Sequence, residues 1–439
     1  MITGLAGDLA ELQRLPTVSA GRGAEPALRR ASAWLATQLA GLGATLVPLP
    51  ANGSAPVVTA QRRGLPGAPT VLIYGHYDVV PAGPPGSWSV PPYAAVRIGR
   101  TLWGRGTSDD KGPVVAGLHA VRELSAAGRR VNLKFLYEGE EEIGSPNLPR
   151  TLRSLRAWLR DVDLVLVCDT EADVTGHPAL TCSLRGELTA RLTVTGSGRP
   201  LHAGRFGGAA PNPAQALAML VAALHHPDGR VTVPGFYHGI RAPRPIRVAD
   251  HEARLAAVAH DGWGEPGRTP TQRVTTRPAV VVTALCSGGC RPGPGHVIPA
   301  RASALLNIRL VPDQHPARIG RLVAEHLAAL APAGTRLEFE PLVLVEPWAL
   351  DSLTHPGVRA AAAAVRRTWG APPTLIRSGG SIPAVSLLAK AIPAAAVVPL
   401  GFARHGENAH SVDEHVDLDR MHRAAHTIAD LVNRLGRAR

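Results

Sequence analysis

Lysine is almost missing from this chain. Of its 439 residues only Lys111, Lys134 and Lys390 are lysines, so 44 of the 47 residues counted as Lys plus Arg are arginines. The arginines are scattered or paired (Arg29–Arg30, Arg62–Arg63, Arg129–Arg130, Arg366–Arg367) and never form the blocks of five or six found in basic arms that grip nucleic acid. The net charge of +13 therefore reads as a solvated, arginine-rich surface, and no nucleic-acid partner is expected. Cysteine is scarce too. Cys168, Cys182, Cys286 and Cys290 are too few to staple a chain of this size. The longest apolar run, 391–400, contains Pro393 and Pro399 and falls short of the ~20 residues that span a bilayer, so no membrane partner is expected. Met1 to Asp8 lacks the basic-then-apolar pattern of a secretory leader, which leaves the cytoplasm as the expected location.

What is present is a globular mixture, 45% hydrophobic and 18% charged, long enough for two cores. Residues 27–42 have helical periodicity (Leu28, Ala31, Leu35, Leu39, Leu42) and stop at Gly43. Short apolar runs predict strands at 71–74, 133–137 and 164–168, with helices over 114–124 and 152–159. Strands separated by helices imply an α/β domain, its mostly parallel sheet covered on both faces. From Leu188 the pattern changes. Residues 188–194 alternate apolar and polar, a helix follows over 213–223, and strands are predicted at 279–285 and 303–310 with a helix at 317–330. This suits a smaller α+β layer with one exposed face. The βα alternation returns with a helix over 358–369 and a strand over 394–400. The smaller domain is therefore expected as an insertion, with metal-binding parts at 1–186 and 346–439 around residues 187–345.

Four apolar strands lead into residues able to hold a metal: His76 and Asp78 after the first, Glu138 to Glu142 after the second, Asp169 after the third, and Glu407 to His410 after the fourth. Ligands in open α/β sheets bind beyond the carboxyl ends of the strands, where such loops converge. A fifth carboxylate site, Asp109-Asp110, follows the Gly-rich loop from Gly104 to Ser108. Singly, each is an ordinary turn residue or a solvated acidic run. Together, two His and three carboxylates are what a pair of Zn²⁺ or Mn²⁺ ions requires, and without a cation their repulsion would be costly.

The order and content of several stretches resemble the M20 metallopeptidases, which include carnosinases, carboxypeptidase G-type enzymes, succinyl-diaminopimelate desuccinylase and aminoacylases. The matching stretches are Gly75 to Pro81 (GHYDVVP), Gly104 to Gly112 (GRGTSDDKG), Glu138 to Ser145 (EGEEEIGS), Leu201 to Gly204 (LHAG), Asn307 to Gln314 (NIRLVPDQ) and Asn408 to Ser411 (NAHS). The resemblance implies a zinc-aminopeptidase-like mixed sheet plus an inserted, ferredoxin-like lid and dimerisation domain, in a homodimer. It implies that His76 and Asp169 hold one divalent ion and His410 and Glu142 the other, with Asp109 bridging; Zn²⁺ leads, with Mn²⁺ or Co²⁺ as alternatives. Glu141 would be the general base, taking a proton from a water shared by the two cations, and Asp78 would orient His76.

Further positions fall near a substrate in that family. His202 would reach across the dimer to stabilise the oxyanion. Arg309 would clamp a substrate carboxylate through its guanidinium fork, unless it serves an interdomain ion pair. Asn212 could touch substrate but equally suits the N-cap of the following helix, which is the preferred reading, and His355 and Ser381 lie in loops the carnosinase branch uses. The chain also departs from that branch. Ser378 stands where a Glu precedes Gly-Gly-Ser-Ile-Pro, His296 replaces the usual Thr or Asn, and Cys286 and Cys290 flank an unusual loop whose thiols are read as ordinary ones. The expected function is metal-dependent hydrolysis of a dipeptide or small peptide. The alternatives are an N-acyl or N-carbamoyl amino acid amidohydrolase, which Ser378 favours and which includes one acting on a specialised metabolite, and a non-catalytic binding protein, which the presence of Glu141 and Asp109 argues against.

Overall fold

The computed structural model describes residues 4–21, 23, 25–49, 56–84, 86–124, 128–243, 255, 258–260, 263–288 and 295–437. Cys290 lies outside the described residues. Two hydrophobic cores organise the chain. The larger surrounds a nine-stranded mixed sheet whose centre is parallel. Asn132–Glu138, Thr70–His76, Leu164–Val167 and Ala396–Gly401 run side by side in that order, all pointing the same way. Every residue of Thr70–His76 is buried, which explains a run of Val71, Leu72, Ile73 and Tyr74 without alternation. Antiparallel strands flank this centre: Thr45–Leu46 and Val58–Arg62 on one side, Ala179–Leu184 and Trp348–Ala349 on the other, with Thr374–Ser378 parallel to Ala179–Leu184. Helices including Glu25–Gly41, Lys111–Arg122, Pro356–Trp369 and Leu418–Arg437 cover the sheet, their buried residues joining the same core.

The smaller core lies between a four-stranded antiparallel sheet and the helices Pro213–Ala222 and Pro316–Ala329. The sheet order is Ala279–Ser287, Arg301–Leu310, Gly186–Thr195, Arg336–Val345, the ferredoxin-like arrangement. Strict burial alternation along Gly186–Thr195 and Arg301–Leu310 turns one face to the helices and leaves the other open. Two departures from expectation concern boundaries. The helix expected over 152–159 is two short helices, Leu148–Ser154 and Arg156–Leu159, and the strand expected at 394–400 begins at Ala396. No helix among the described residues is long and apolar enough to cross a membrane.

Candidate metal centre

The four parallel strands end at one edge, and the predicted donors gather there. His76 closes its strand, fully buried, with Nε2 3.0 Å from Asp109 Oδ1 and 3.7 Å from Asp169 Oδ2. His410 Nε2 lies 3.0 Å from the other Asp109 oxygen, Oδ2, and 3.0 Å from Glu142 Oε2. Asp109 thus presents one oxygen to each imidazole. The ligand atoms within each group, His76–Asp109–Asp169 and Asp109–Glu142–His410, all fall within 4.8 Å of one another. Donors held at ~2.0–2.1 Å around a tetrahedral ion sit roughly 3.3 Å apart. The observed 3.0 to 3.7 Å separations bracket that spacing, so the residues fit a pair of divalent ions.

The electrostatics agree with the geometry. Burial, reinforced by the charges of Asp109 and Asp110, pushes the Asp169 carboxyl well above its ordinary range. Burial does the same to Glu141, with Glu142 and Asp109 adding to it against the pull of His76. Hydrogen bonds to Asp109 and Glu142 lift His410 to about 10, and burial only partly opposes them. Burial disfavours a charged His76, but hydrogen bonds to Asp109 and Asp78 outweigh it and raise its pKa. The pocket therefore draws positive charge to itself, and nitrogen and carboxylate donors suit Zn²⁺, Mn²⁺ or Co²⁺.

Asp78 ties the two halves of the centre together. Its Oδ1 lies 3.3 Å from His76 Nδ1, and its two oxygens accept the N–H groups of Glu141 and Glu142 at 3.1 Å each. One buried carboxylate thus orients the imidazole and anchors the turn Glu141–Ile143. Gly75 makes room for another. A Cβ there would lie 2.8 Å from Asp110 Oδ2, the atom that accepts the His76 N–H at 3.1 Å.

Glu414 was not expected from the sequence. It is fully buried and accepts the N–H groups of Gly106, Ser108 and Asp109 at 2.8, 2.9 and 3.1 Å, with Arg105 Nη1 at 2.7 Å. Glu407 accepts from Ser108 Oγ at 2.7 Å. These two carboxylates hold in place the Gly-rich loop that delivers Asp109, and no local motif marks either for that task. His410 itself has φ 61°, a left-handed conformation uncommon for a non-glycine residue.

A cavity of about 310 Å³ opens on this centre, lined by Asp109, Glu141, Asp169, Ser381 and His410 among others. Glu141 belongs to neither ligand group among the described residues. Ser381 Oγ donates to Arg185 O at 2.7 Å and sits 3.1 Å from Arg309 Nη1, which also pairs with Glu187 at 2.9 Å. Arg309 therefore reaches the cavity rim from the smaller domain. The other expected substrate contacts lie elsewhere. Asn212 caps Pro213–Ala222 by accepting from Ala214 N, and His355 caps Pro356–Trp369 by accepting from Gly357 N. Exposed His202 accepts from Gly204 N, and His296, beside it, accepts from Ala203 N through its backbone oxygen. None of these four is among the residues lining the cavity of this chain.

Residues 72–434 match Peptidase family M20/M25/M40. The chain belongs to this family. It is 31% identical over 399 residues to a cysteinylglycine-S-conjugate dipeptidase of Corynebacterium striatum, covering 88% of this chain and 86% of that protein. It is 28% identical to the human β-Ala-His dipeptidase over 82% of this chain and 74% of the relative. Among solved structures, an M20 family metallo-carboxypeptidase of Sulfolobus solfataricus superposes with TM-score 0.85 at 26% identity, covering 99% of this chain and all of the other. Family membership accounts for the mixed sheet and smaller domain described above.

Proposed function

We propose that this protein is a dinuclear metal-dependent dipeptidase, cleaving the peptide bond of a dipeptide or similarly small peptide. The observation behind it is Asp109 set between two imidazole–carboxylate pairs with Glu141 beside them. When bound, the two ions would polarise the scissile carbonyl and acidify the attacking water. Glu141 takes the proton from that water and returns it to the leaving amine. Asp78 keeps His76 and the Glu141 turn in register. We place the metal-binding domain at 1–186 and 346–439 and the lid at 187–345. The adjacency of the two crossings supports this, since a Cβ on Gly186 would meet Val345 O at 2.5 Å. Among the described residues Cys168, Cys182 and Cys286 form no disulfide, which suits a reducing compartment, and we assign the protein to the cytoplasm.

Arg309, with Ser381, is assigned to the carboxylate on the leaving half of the substrate. A dipeptide should accordingly be hydrolysed well ahead of its C-terminal amide. Arg309→Ala should erase that preference and lower kcat/KM for the free acid by roughly 10- to 100-fold, the size of a charge-assisted hydrogen-bond pair. Arg309→Lys should recover little, because an ammonium cannot reproduce the fork. Equal turnover of acid and amide by the wild type would refute this assignment. A second reading, hydrolysis of an N-acyl or N-carbamoyl amino acid, is favoured by one observation: Ser378 offers no carboxylate to a free ammonium, and its Oγ accepts from Gly380 N at 3.0 Å. Side-by-side turnover of a dipeptide and an N-acyl amino acid separates the two.

We further propose a homodimer in which His202 completes the partner's site. Its exposure and its place outside the cavity of its own chain support this. Mixing inactive Glu141→Gln with inactive His202→Ala protein under subunit exchange should then restore some activity. Continued inactivity after proven exchange would remove His202 from the partner's site.

A further inference from the structure

Arg185 stands one residue before the strand Gly186–Thr195 and is buried. It grips the loop after Ser378 at three points. Its Nε donates to Gly379 O at 3.0 Å, its main-chain N–H donates to Gly380 O at 3.1 Å, and its carbonyl accepts from Ser381 Oγ at 2.7 Å. Its Nη1 also reaches the carbonyls of Arg273 and Arg277, in and just after the helix Pro270–Thr275, at 3.4 Å each. A Cβ on Gly379 would lie 2.4 Å from Val274 O and 3.2 Å from Arg185 Nη2, so loop, guanidinium and the 273–277 segment meet without room for a side chain. The acceptors of this guanidinium are neutral carbonyls, and among the described residues no carboxylate forms an ion pair with it, whereas Arg309 has Glu187 at 2.9 Å. Burial, with the charge of Arg309 adding to it, brings the Arg185 pKa down to about 9, so it remains a cation at neutral pH. The rim beside Ser381 therefore holds two guanidinium charges against the one carboxylate of Glu187. A buried cation without a counter-charge is costly, and a carboxylate arriving at Arg309 would supply one.

We propose that Arg185 is a positioning residue for recognition of the leaving half of the substrate, acting through Ser381 and Arg309. The proposal rests on the assignment of the substrate carboxylate to those two residues. Two effects combine. The bonds to residues 379–381 hold Ser381 Oγ where Arg309 Nη1 meets it at 3.1 Å. The unmatched charge then lets the rim attract an anion more strongly than Arg309, already paired with Glu187, would alone. Only a planar guanidinium does both, since its fixed fork serves Gly379 and the 273–277 segment together while carrying the charge.

The test measures turnover of Ala-Gly and of its C-terminal amide by the metal-loaded protein. Arg185→Met, apolar and of similar length, should lower the ratio of acid to amide kcat/KM by about tenfold, most of it as a higher KM for the acid. Arg185→Lys should recover part of that ratio, because the charge returns without the fork. In an Arg309→Ala background the methionine substitution should move the ratio little, since the two residues serve one carboxylate and their effects are not additive. Gly379→Ala crowds the same loop from the other side and should show the same loss of ratio, which carries the test if Arg185→Met does not fold. An equal fall for acid and amide, or a methionine effect of the same size with and without Arg309, would overturn the proposal and leave the Arg309 assignment standing. Equal turnover of acid and amide by the wild type would overturn that assignment and this inference with it. Cleavage of neither by protein holding its metals would overturn the dipeptidase reading itself.

Discussion

Glu141→Gln is expected to retain about two divalent ions per chain and to lose turnover by roughly 10²–10⁴-fold or more, the scale of a lost general base. The amide is nearly isosteric with the carboxylate, so the turn Glu141–Ile143 should survive. That turn is held by main-chain N–H groups donating to Asp78, which the substitution leaves alone. What disappears is the ability to accept a proton from water and pass it to the leaving amine. Metal analysis beside steady-state kinetics reads both halves of this expectation. Loss of metal in the variant would mean that the roles of Glu141 and Glu142 are exchanged, and full activity would take Glu141 out of the mechanism.

Asp109→Ala should lose both metals and all measurable activity. Asp109 is the one residue common to the two ligand groups, with one oxygen 3.0 Å from His76 and the other 3.0 Å from His410. Without it each ion keeps only one imidazole and one carboxylate from the protein, and the two cations lose the shared anion that screens them from each other. The loop itself should persist, because Glu414 still accepts the main-chain N–H groups of Gly106, Ser108 and position 109. Metal content of chelator-free protein should therefore fall from about two per chain toward zero while circular dichroism stays unchanged. A variant retaining one ion and full activity would refute the dinuclear centre.

The centre was legible in the sequence to an unusual degree because its donors sit where strands stop. Val71 to Tyr74 and Leu164 to Val167 are apolar runs, and Leu133 to Tyr137 is one broken only by Lys134, as a doubly covered sheet accommodates, so the residues just after them emerge at one edge. Arg336–Val345 carries a weaker signal, with Leu337 and Phe339 alternating with Glu338 and Glu340 at period two over only four residues. Pro341 obscured it, and it is tolerated because the strand lies at the sheet edge beside a register shift. Leu418–Arg437 is legible in the same way, since Met421, Ala424, Ala425, Ile428, Leu431 and Val432 repeat at helical spacing.

By itself the sequence determined the local matters: which segments are strands or helices, where the apolar runs end, and which side chains can bind a cation. Those follow from periodicity and residue chemistry within a dozen positions. Tertiary structure alone decided how distant segments meet. Glu414 supports a loop some 300 positions earlier, 309 residues from its Arg105 partner, and His410 meets Glu142 across 268. It also left Asn212 and His355, each capping a helix through an N–H two residues on, outside the lining of the metal cavity. Such hydrogen bonds depend on the positions of main-chain N–H groups and loops in space, and these are defined only after the two cores have packed.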